Sequence, residues 1–173
     1  MRFFSGFCFE GESELFASFA PMNGRYTLNG FSYGAILAFR EALNLVRKSH
    51  RIQSLNLFSP AFFQERKPSF LKAQILGFKK DPQSYIQNFL SLCGNPPAKY
   101  FKQGTLEQLE ELLSFEWRRE ELELLCASGV ELNIFVGGKD KIISPQEVID
   151  FFTPFGIVHL YQNLNHHLQC DHP

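Results

Sequence analysis

Five short apolar runs along the chain have the alternating or continuous hydrophobic pattern that is typical of β-strands. They lie at about residues 2–7, 25–30, 52–58, 130–136 and 157–161. Segments with helical periodicity separate them, and the clearest of these cover 33–48 and 144–152. Strands that alternate with helices predict an α/β fold with a mostly parallel sheet of about five strands.

The stretch from about residue 62 to 126 breaks this alternation. It has no convincing strand, and its amphipathic helical segments are separated by Asp81-Pro82 and by Gly94-Asn95-Pro96-Pro97. We therefore expect a single domain over residues 1–173, with a helical lid at about 62–126 inserted between two core strands.

The charges of this lid are unevenly divided. Residues 64–103 hold seven basic side chains against two acidic ones, whereas residues 104–125 hold seven glutamates against two arginines. Two solvated helix faces of opposite sign that face each other would explain the division. The alternative explanation is a basic docking surface for an acidic partner.

Composition excludes several classes of protein. A chain of 173 residues with 45% hydrophobic residues is long enough for one domain with a sizeable core. The net charge of −1 excludes a strongly basic nucleic-acid binder. No apolar run approaches the ~20 residues of a membrane span, and the first ten residues favour a strand over a signal peptide. Four cysteines without Cys-x-x-Cys spacing predict free thiols in a reducing cytoplasm.

The pattern with the most chemical content is Gly30-Phe31-Ser32-Tyr33-Gly34, which stands between a predicted strand and a predicted helix. A sharp strand-to-helix turn exposes the serine hydroxyl near the positive end of the helix dipole, and it requires small residues on both sides. Ser32 is therefore the candidate nucleophile. The alternative is a glycine-flanked serine in an ordinary connection, and Cys8, the other nucleophile considered, lacks such a turn.

A serine nucleophile needs an imidazole base and a carboxylate that orients this base. Asp140 follows the fourth predicted strand and His166 follows the fifth, so both are expected beside Ser32 at the carboxyl edge of a parallel sheet. His167 is adjacent to His166, and spacing does not separate the two. Asp150 lies within the following helix and is expected to point elsewhere.

Two backbone N–H groups are the candidate donors to an oxyanion. One belongs to Tyr33, directly after the nucleophile, and the other to Phe7, in the loop Ser5-Gly6-Phe7 after the first strand. The run from His166 to His172 also contains metal-ligand residue types that suit nickel or zinc. A segment with so little structure around it makes a weak cage, so we expect no metal there.

These motifs resemble those of the α/β-hydrolase superfamily across nearly the whole chain. The serine motif, Gly137-Gly138-Lys139-Asp140 and Asn165-His166 are similar to its nucleophile, acid and base motifs. Ser5-Gly6-Phe7 is similar to its His-Gly-aromatic oxyanion loop, with serine in place of histidine. Among compact members, the chain resembles the small pimeloyl-acyl-carrier-protein methyl ester esterases of biotin synthesis, of the BioV type, in size, starting sequence and serine motif.

The resemblance implies a compact α/β-hydrolase fold and a serine carboxylesterase that releases methanol from pimeloyl-acyl-carrier-protein methyl ester. It implies that no cofactor is needed and that the partner is the acidic acyl carrier protein, with no nucleic acid or membrane involved. The basic lid residues expected to contact the carrier are Arg66, Lys67, Lys72, Lys79 and Lys80. A general short-chain esterase or thioesterase is one alternative, and a catalytically inactive hydrolase fold used for binding is another.

Overall fold

One parallel sheet organises the molecule, for which a computed structural model describes residues 2–170. The five strands lie side by side in chain order, and each neighbouring pair is parallel. They are β1 (Arg2–Phe4), β2 (Thr27–Phe31), β3 (Ser54–Phe58), β4 (Glu131–Gly137) and β5 (Ile157–Tyr161). The predicted α/β class and the predicted number of strands are confirmed.

Helices fill the connections between these strands. A 3-10 helix (Glu12–Phe16) lies between β1 and β2, α1 (Tyr33–Arg47) joins β2 to β3, and α6 (Pro145–Phe152) joins β4 to β5. The long connection between β3 and β4 holds α2 (Pro68–Lys80), α3 (Pro82–Cys93), α4 (Leu106–Ser114) and α5 (Arg119–Ala127). We call this connection, α2 to α5, the helical insertion. It contains no strand, as the sequence predicts for 62–126.

Short-range signals set the ends of these helices. Asp81 accepts a hydrogen bond from the Ser84 N–H and so begins α3, and Gly94, with φ 102°, ends it. Thr105 and Gln108 form a reciprocal capping box at the start of α4. The predicted breaks at Asp81-Pro82 and at Gly94 therefore separate the helices of the insertion.

Three strands, β1, β2 and β3, are shorter at one end than the sequence predicts, and β3 begins at Ser54 instead of residue 52. β1 was expected over 2–7 but ends at Phe4, because the Phe9 N–H donates to the Gly6 carbonyl at 3.1 Å and closes a turn. β2 was expected from residue 25 but begins at Thr27, whose N–H donates to the Gly24 carbonyl at 3.3 Å in another turn. The hydrophobic pattern does not show where a strand gives way to a turn, so it predicts strands that are longer than those of the structure.

Three adjacent strands carry the same pattern, Leu-Asn-x-Phe, in register. The residues are Leu28 to Phe31 in β2, Leu55 to Phe58 in β3 and Leu132 to Phe135 in β4. Because side chains alternate across a sheet, the leucines join one core cluster and the phenylalanines another on the opposite face. The sheet is thus buried on both faces, as expected for parallel strands.

The asparagines of this pattern form a ladder across the sheet, in which Asn29 and Asn56 are buried and Asn133 is half-buried. The Asn56 side-chain amide donates to Asn29 Oδ1 at 2.8 Å, and the Asn133 amide donates to Asn56 Oδ1 at 3.1 Å. On the same face, Phe16 of the 3-10 helix packs on Phe31 and Phe58, with ring centroids 4.9 and 4.7 Å apart. These contacts fix the 3-10 helix against the sheet.

Within residues 2–170, no helix is both long enough and apolar enough to cross a bilayer.

Candidate active site

Ser32 occupies the sharp turn between β2 and α1. Its backbone has φ 52° and ψ −114°, a conformation that a non-glycine residue adopts only under strain, and its N–H donates to the Phe58 carbonyl at 2.9 Å. A Cβ on Gly30 would lie 2.2 Å from the Gly34 carbonyl oxygen, and one on Gly34 would lie 1.9 Å from the Phe4 carbonyl oxygen. Both neighbours must be glycine for this turn to form, as the sequence predicts.

Asp140, His166 and Ser32 form a continuous chain of hydrogen bonds. His166 Nδ1 lies 2.7 Å from Asp140 Oδ2, and His166 Nε2 lies 3.0 Å from Ser32 Oγ. Because a carboxylate only accepts, His166 carries its proton on Nδ1, which leaves Nε2 to accept the serine proton. The structure therefore brings together the three side chains that the sequence placed at one edge of the sheet.

Both oxygens of the Asp140 carboxylate are engaged. While Oδ2 faces His166, Oδ1 accepts from the backbone N–H groups of Ile142 at 2.8 Å and Ile143 at 3.1 Å. The side chain is fully buried, so water does not compete for these contacts. A carboxylate held in this way fixes the ring plane and the tautomer of the histidine.

Backbone contacts between two loops bring Asp140 close to His166. The Gly138 N–H donates to the Tyr161 carbonyl and the Lys139 N–H to the Leu164 carbonyl, each at 2.9 Å. Around the histidine, the Leu168 N–H donates to the Asn165 carbonyl at 3.0 Å and closes a tight turn. The loop after β4 is therefore attached to the loop after β5.

The other histidines have different surroundings. His167 is buried, and its Nδ1 donates to the Cys93 carbonyl at 2.6 Å. His159 stacks on Phe135 at 4.6 Å within the sheet, and His50 is exposed after α1. The geometry therefore selects His166 as the candidate base, a choice that the sequence left open between His166 and His167.

Cys8 does not have the properties of a nucleophile. Its side chain is buried, and this burial raises the pKa of the thiol to about 12. The thiol stays protonated near neutral pH, whereas the thiolate is the reactive form. All four cysteines are unpaired thiols, and only Cys126 and Cys170 are exposed.

The two candidate oxyanion donors lie close to Ser32 in the fold. Tyr33 is the first residue of α1, so its N–H has no acceptor within the helix, and Phe7 lines a cavity together with Ser32. Within residues 2–170, neither N–H donates a hydrogen bond to the protein. Both remain candidates for this role.

A cavity of about 240 Å³ opens beside Ser32, beneath the helical insertion. Its walls are mostly phenylalanine and leucine side chains, among them Phe89 of α3 and Leu113 of α4. Its polar lining residues are Ser32, Arg66, Gln74, Tyr85, Asn88 and Lys141. None of the lining residues is acidic, so the cavity suits an apolar chain whose charged end, if it has one, is negative.

The helical insertion is attached to the serine turn by a charged contact. The Tyr33 hydroxyl and the Arg40 guanidinium, both on α1, donate to the carboxylate of Glu111 on α4. Partial burial and this carboxylate raise the pKa of Tyr33 to about 12, so the phenol remains a donor. The contact holds α4, one wall of the cavity, over the start of α1.

The five basic residues expected to contact a carrier have unlike environments. Arg66 lines the cavity, with its guanidinium 5.6 Å from the centre of the Phe70 ring. The others are exposed on or next to α2, and Lys79 Nζ lies 3.4 Å from Glu110 Oε1 of α4. In the described part of the chain, Lys67, Lys72 and Lys80 form no ion pair. Within the described residues, one ion pair, Lys79 with Glu110, joins the basic and acidic parts of the insertion, and Lys67, Lys72 and Lys80 have no ion-pair partner.

A metal site in the C-terminal run receives no support from the part that the structure describes. Between residues 2 and 170, no group of three or more histidine, cysteine, aspartate or glutamate side chains is placed to hold an ion. His172, one member of the run, lies outside the described residues.

Comparison with known proteins gives a match in fold alone. No family model matches the chain, and no curated protein matches it in sequence. Naproxen esterase from Bacillus subtilis matches with a TM-score of 0.56 and 16% identity, over 85% of this chain and 55% of that one. The present chain therefore spans little more than half the length of that esterase.

Two smaller proteins match over most of their own length. BioG from Haemophilus influenzae has a TM-score of 0.59 at 13% identity, covering 96% of this chain and 87% of that one. An α/β superfamily hydrolase from Oenococcus oeni has a TM-score of 0.56 at 15% identity, covering 96% and 84%. With the parallel sheet, the serine turn and the order Ser32, Asp140, His166 along the chain, these likenesses show that the protein has the α/β-hydrolase fold.

Proposed function

We propose that the protein is a serine esterase in which Ser32 is the nucleophile, His166 the general base and Asp140 the residue that orients this base. The observation that carries the proposal is the buried chain of hydrogen bonds from Asp140 through His166 to Ser32, which ends beside an apolar cavity. A serine on a strained strand-to-helix turn, with a base 3.0 Å away, has the arrangement that nucleophilic catalysis requires.

The reaction follows from these positions. Ser32 Oγ attacks the ester carbonyl carbon while His166 Nε2 takes the hydroxyl proton, and the N–H groups of Phe7 and Tyr33 stabilise the oxyanion. His166 then gives its proton to the departing alcohol, which leaves an acyl-serine ester. Water, deprotonated by His166, hydrolyses this ester and restores the Ser32 hydroxyl. The groups required at each step belong to the protein, so the proposed reaction needs no metal or cofactor.

For the substrate, we propose the methyl ester of a pimeloyl chain carried by acyl carrier protein. The resemblance to the small methyl ester esterases supports this choice, and so does the compact size that the chain shares with BioG. The apolar cavity walls suit a methylene chain, and the cavity has no acidic residue that would repel an anionic carrier. Arg66 in the cavity and Lys67, Lys72 and Lys80 outside it are the proposed carrier contacts.

The proposal is tested by turnover of carrier-bound monomethyl esters of different chain length, measured as methanol release. Wild-type enzyme should release methanol with a preference for the seven-carbon diacid, and Ser32→Ala should lose at least ~10³-fold in kcat. Equal activity on small soluble esters, independent of the carrier, would instead identify a general esterase or thioesterase. An active Ser32→Ala enzyme would contradict the mechanism itself.

A fluorophosphonate probe separates an enzyme from an inactive binding protein. Such probes react only with an activated serine, so we expect labelling of wild-type protein at Ser32 and none of His166→Ala. A folded wild-type protein that is not labelled would favour the inactive fold used for binding.

A further inference from the structure

Glu12 is a buried carboxyl group that the proposed mechanism does not use. It has no solvent exposure, and its Oε1 accepts a hydrogen bond from the Gly6 N–H at 2.8 Å. Burial raises the pKa of this carboxyl, while the Gly6 N–H acts in the opposite direction. Because burying a carboxyl group is unfavourable, its location directly beside the Ser5-Gly6-Phe7 loop calls for a physical reason.

The position of Glu12 is set by the core and not by the loop that it contacts. Glu12 begins the 3-10 helix, directly after Gly11 with φ 73°, and Phe16 ends this helix. Since Phe16 is fully buried against Phe31 and Phe58, the helix is anchored on the sheet. The carboxyl group therefore has a fixed position from which it holds Gly6.

Two hydrogen bonds fix the peptide groups on both sides of Gly6. Glu12 holds the N–H of the Ser5–Gly6 peptide, and the Phe9 N–H donates to the carbonyl of the Gly6–Phe7 peptide at 3.1 Å. In a trans peptide, the C=O and the N–H point in opposite directions. With the Gly6 carbonyl turned toward Phe9, the Phe7 N–H points away from the turn and is left without a protein acceptor in the described chain.

This loop lies directly against the serine turn. A Cβ on Gly34 would lie 2.6 Å from the Ser5 carbonyl oxygen, so the start of α1 and the loop are in contact. Phe7 and Ser32 line the same cavity. A rotation about Gly6, which a glycine permits more readily than any other residue, would therefore change where the Phe7 N–H points relative to Ser32.

We propose that Glu12 is a positioning residue for the oxyanion step, because it holds Gly6 so that the Phe7 N–H faces the reacting carbonyl oxygen. This inference rests on the proposed serine esterase function. Glu12 contacts the Gly6 N–H, so we expect it to act through the position of the Phe7 N–H, in the steps in which an oxyanion forms.

The test compares Glu12→Ala, Glu12→Gln and the control Glu10→Gln in hydrolysis of a small p-nitrophenyl ester. Removing a single oxyanion donor lowers kcat by about 10²–10³-fold, so a misplaced one in Glu12→Ala should lower it by about 10–100-fold with little change in KM. Glu12→Gln keeps an oxygen acceptor for the Gly6 N–H and should stay within about threefold of wild type. Glu10 is exposed and bonded to Lys102, so Glu10→Gln should leave kcat unchanged.

Inhibition by a trifluoromethyl ketone distinguishes a positioning role from a structural one, because a loss of stability alone would not change the Ki of this inhibitor. This inhibitor forms an oxyanion on Ser32, so its Ki for Glu12→Ala should rise by the same factor by which kcat/KM falls. Thermal unfolding of each variant establishes that it is folded at the assay temperature. If Glu12→Ala does not fold, Glu12→Asp, whose carboxyl is one methylene shorter, provides the same comparison.

Two results would overturn the inference and leave the esterase in place. One is a folded Glu12→Ala (or, in its place, Glu12→Asp) variant with wild-type kcat and Ki, and the other is such a variant whose kcat falls while its Ki does not change. Failure of the proposed function has a different signature, because Ser32→Ala would then be as active as wild type.

Discussion

The adjacent residues His166 and His167 have different hydrogen-bond partners, and only those of His166 suit a general base. His166 bridges a hydroxyl and a carboxylate, whereas His167 donates to the Cys93 carbonyl. We predict that His166→Ala lowers kcat by about 10³-fold or more, because no other base reaches Ser32 Oγ in the described structure. Steady-state kinetics on a p-nitrophenyl ester measure this effect, with circular dichroism to show that the variant is folded.

His167→Asn is the matched control for that experiment. It changes a buried contact to α3 and leaves the hydrogen bonds of His166 in place, so it should lower the melting temperature while kcat stays within about threefold. Equal losses of kcat in the two variants would contradict the assignment of the base.

Glu12 also gives the stability of the protein a dependence on pH. Its pKa in the folded chain is raised above 4.5 by burial, so the folded state binds this proton more tightly than the unfolded state does. This contribution to stability is therefore present below about pH 4.5 and is lost as the pH rises through the folded pKa. Glu12→Gln stays neutral throughout, and we predict that it melts at a higher temperature than wild type at pH 8 and at a similar temperature at pH 4.

Differential scanning calorimetry at several pH values measures this difference. Glu10→Gln removes an exposed charge two residues earlier, whose repulsion is the smallest contribution to the raised pKa of Glu12. A constant difference between Glu12→Gln and wild type across the pH range would show that the Glu12 carboxyl does not titrate differently on folding.

The site residues that the sequence predicts are those that follow strands. Ser32, Asp140 and His166 each lie in the turn or loop that follows an apolar run, and parallel strands bring such positions to one edge. Glu12 carries no such signal, because its burial depends on how Phe16 docks on a sheet built from distant strands. The choice between His166 and His167 depends on the turn around Asn165, which hydrophobic pattern does not encode.

At the scale of elements, the Asn29–Asn56–Asn133 ladder lies within a buried sheet face. Asn56 is the middle member and contacts both neighbours, so its loss leaves Asn29 Oδ1 and the Asn133 amide without these partners. We predict that Asn56→Ala lowers the free energy of unfolding by about 2–3 kcal/mol. Urea denaturation measures this change, with Asn163→Ala in an exposed loop as the control that should lose less than ~0.5 kcal/mol.

Activity separates this structural role from a catalytic one. The ladder lies within the strands, whereas the site is formed after their carboxyl ends, so folded Asn56→Ala should keep kcat within about threefold. A loss of kcat without a loss of stability would contradict a purely structural role for the ladder.

The sequence predicts the bounds of a helix or strand well where the hydrophobic period alone defines its ends. β5 lies where the pattern places it, and α1 and α6 differ from their predicted ranges by one residue at one end. The errors in β1 and β2 fall where turns closed by backbone hydrogen bonds, at Gly6 and Gly24, follow or precede an apolar run. The Leu-Asn-x-Phe pattern recurs in β2, β3 and β4 and could have indicated that these strands pair with their repeats aligned. The sequence alone does not show this pairing, which the structure provides.

In the molecule as a whole, some of the charged residues of the helical insertion form ion pairs and others do not. Lys79 pairs with Glu110, and Arg40 of α1 pairs with Glu111, so part of the opposite charge is used within the fold. Lys67, Lys72 and Lys80 remain exposed without an ion pair in the described residues. These three lysines, on or next to α2, are the proposed contacts for an acidic carrier.

This arrangement leads to a prediction for the double variant Lys72→Glu/Lys80→Glu. Reversing two charges on the proposed docking surface should lower kcat/KM for the carrier-bound methyl ester by about 10-fold at low salt, because charge complementarity speeds encounter. The same variant should hydrolyse free pimelate monomethyl ester at the wild-type rate, since neither lysine lines the cavity. For wild type, kcat/KM on the carrier-bound substrate should fall as ionic strength rises, and the slope should be smaller for the variant.

Lys48→Glu is the matched control for this experiment. Lys48 is exposed at the far end of α1, and a helix of this length separates it from the serine turn by about 22 Å. Charge reversal there changes the net charge of the protein without touching the proposed docking surface, so it should leave kcat/KM for the carrier-bound ester within about twofold. Lys48→Glu changes the net charge by half as much as the double variant, so an equal effect per reversed charge would mean that net charge, and not a docking surface on α2, governs the encounter. Insensitivity of all three enzymes to salt would remove the electrostatic argument for an acidic carrier and favour the general esterase.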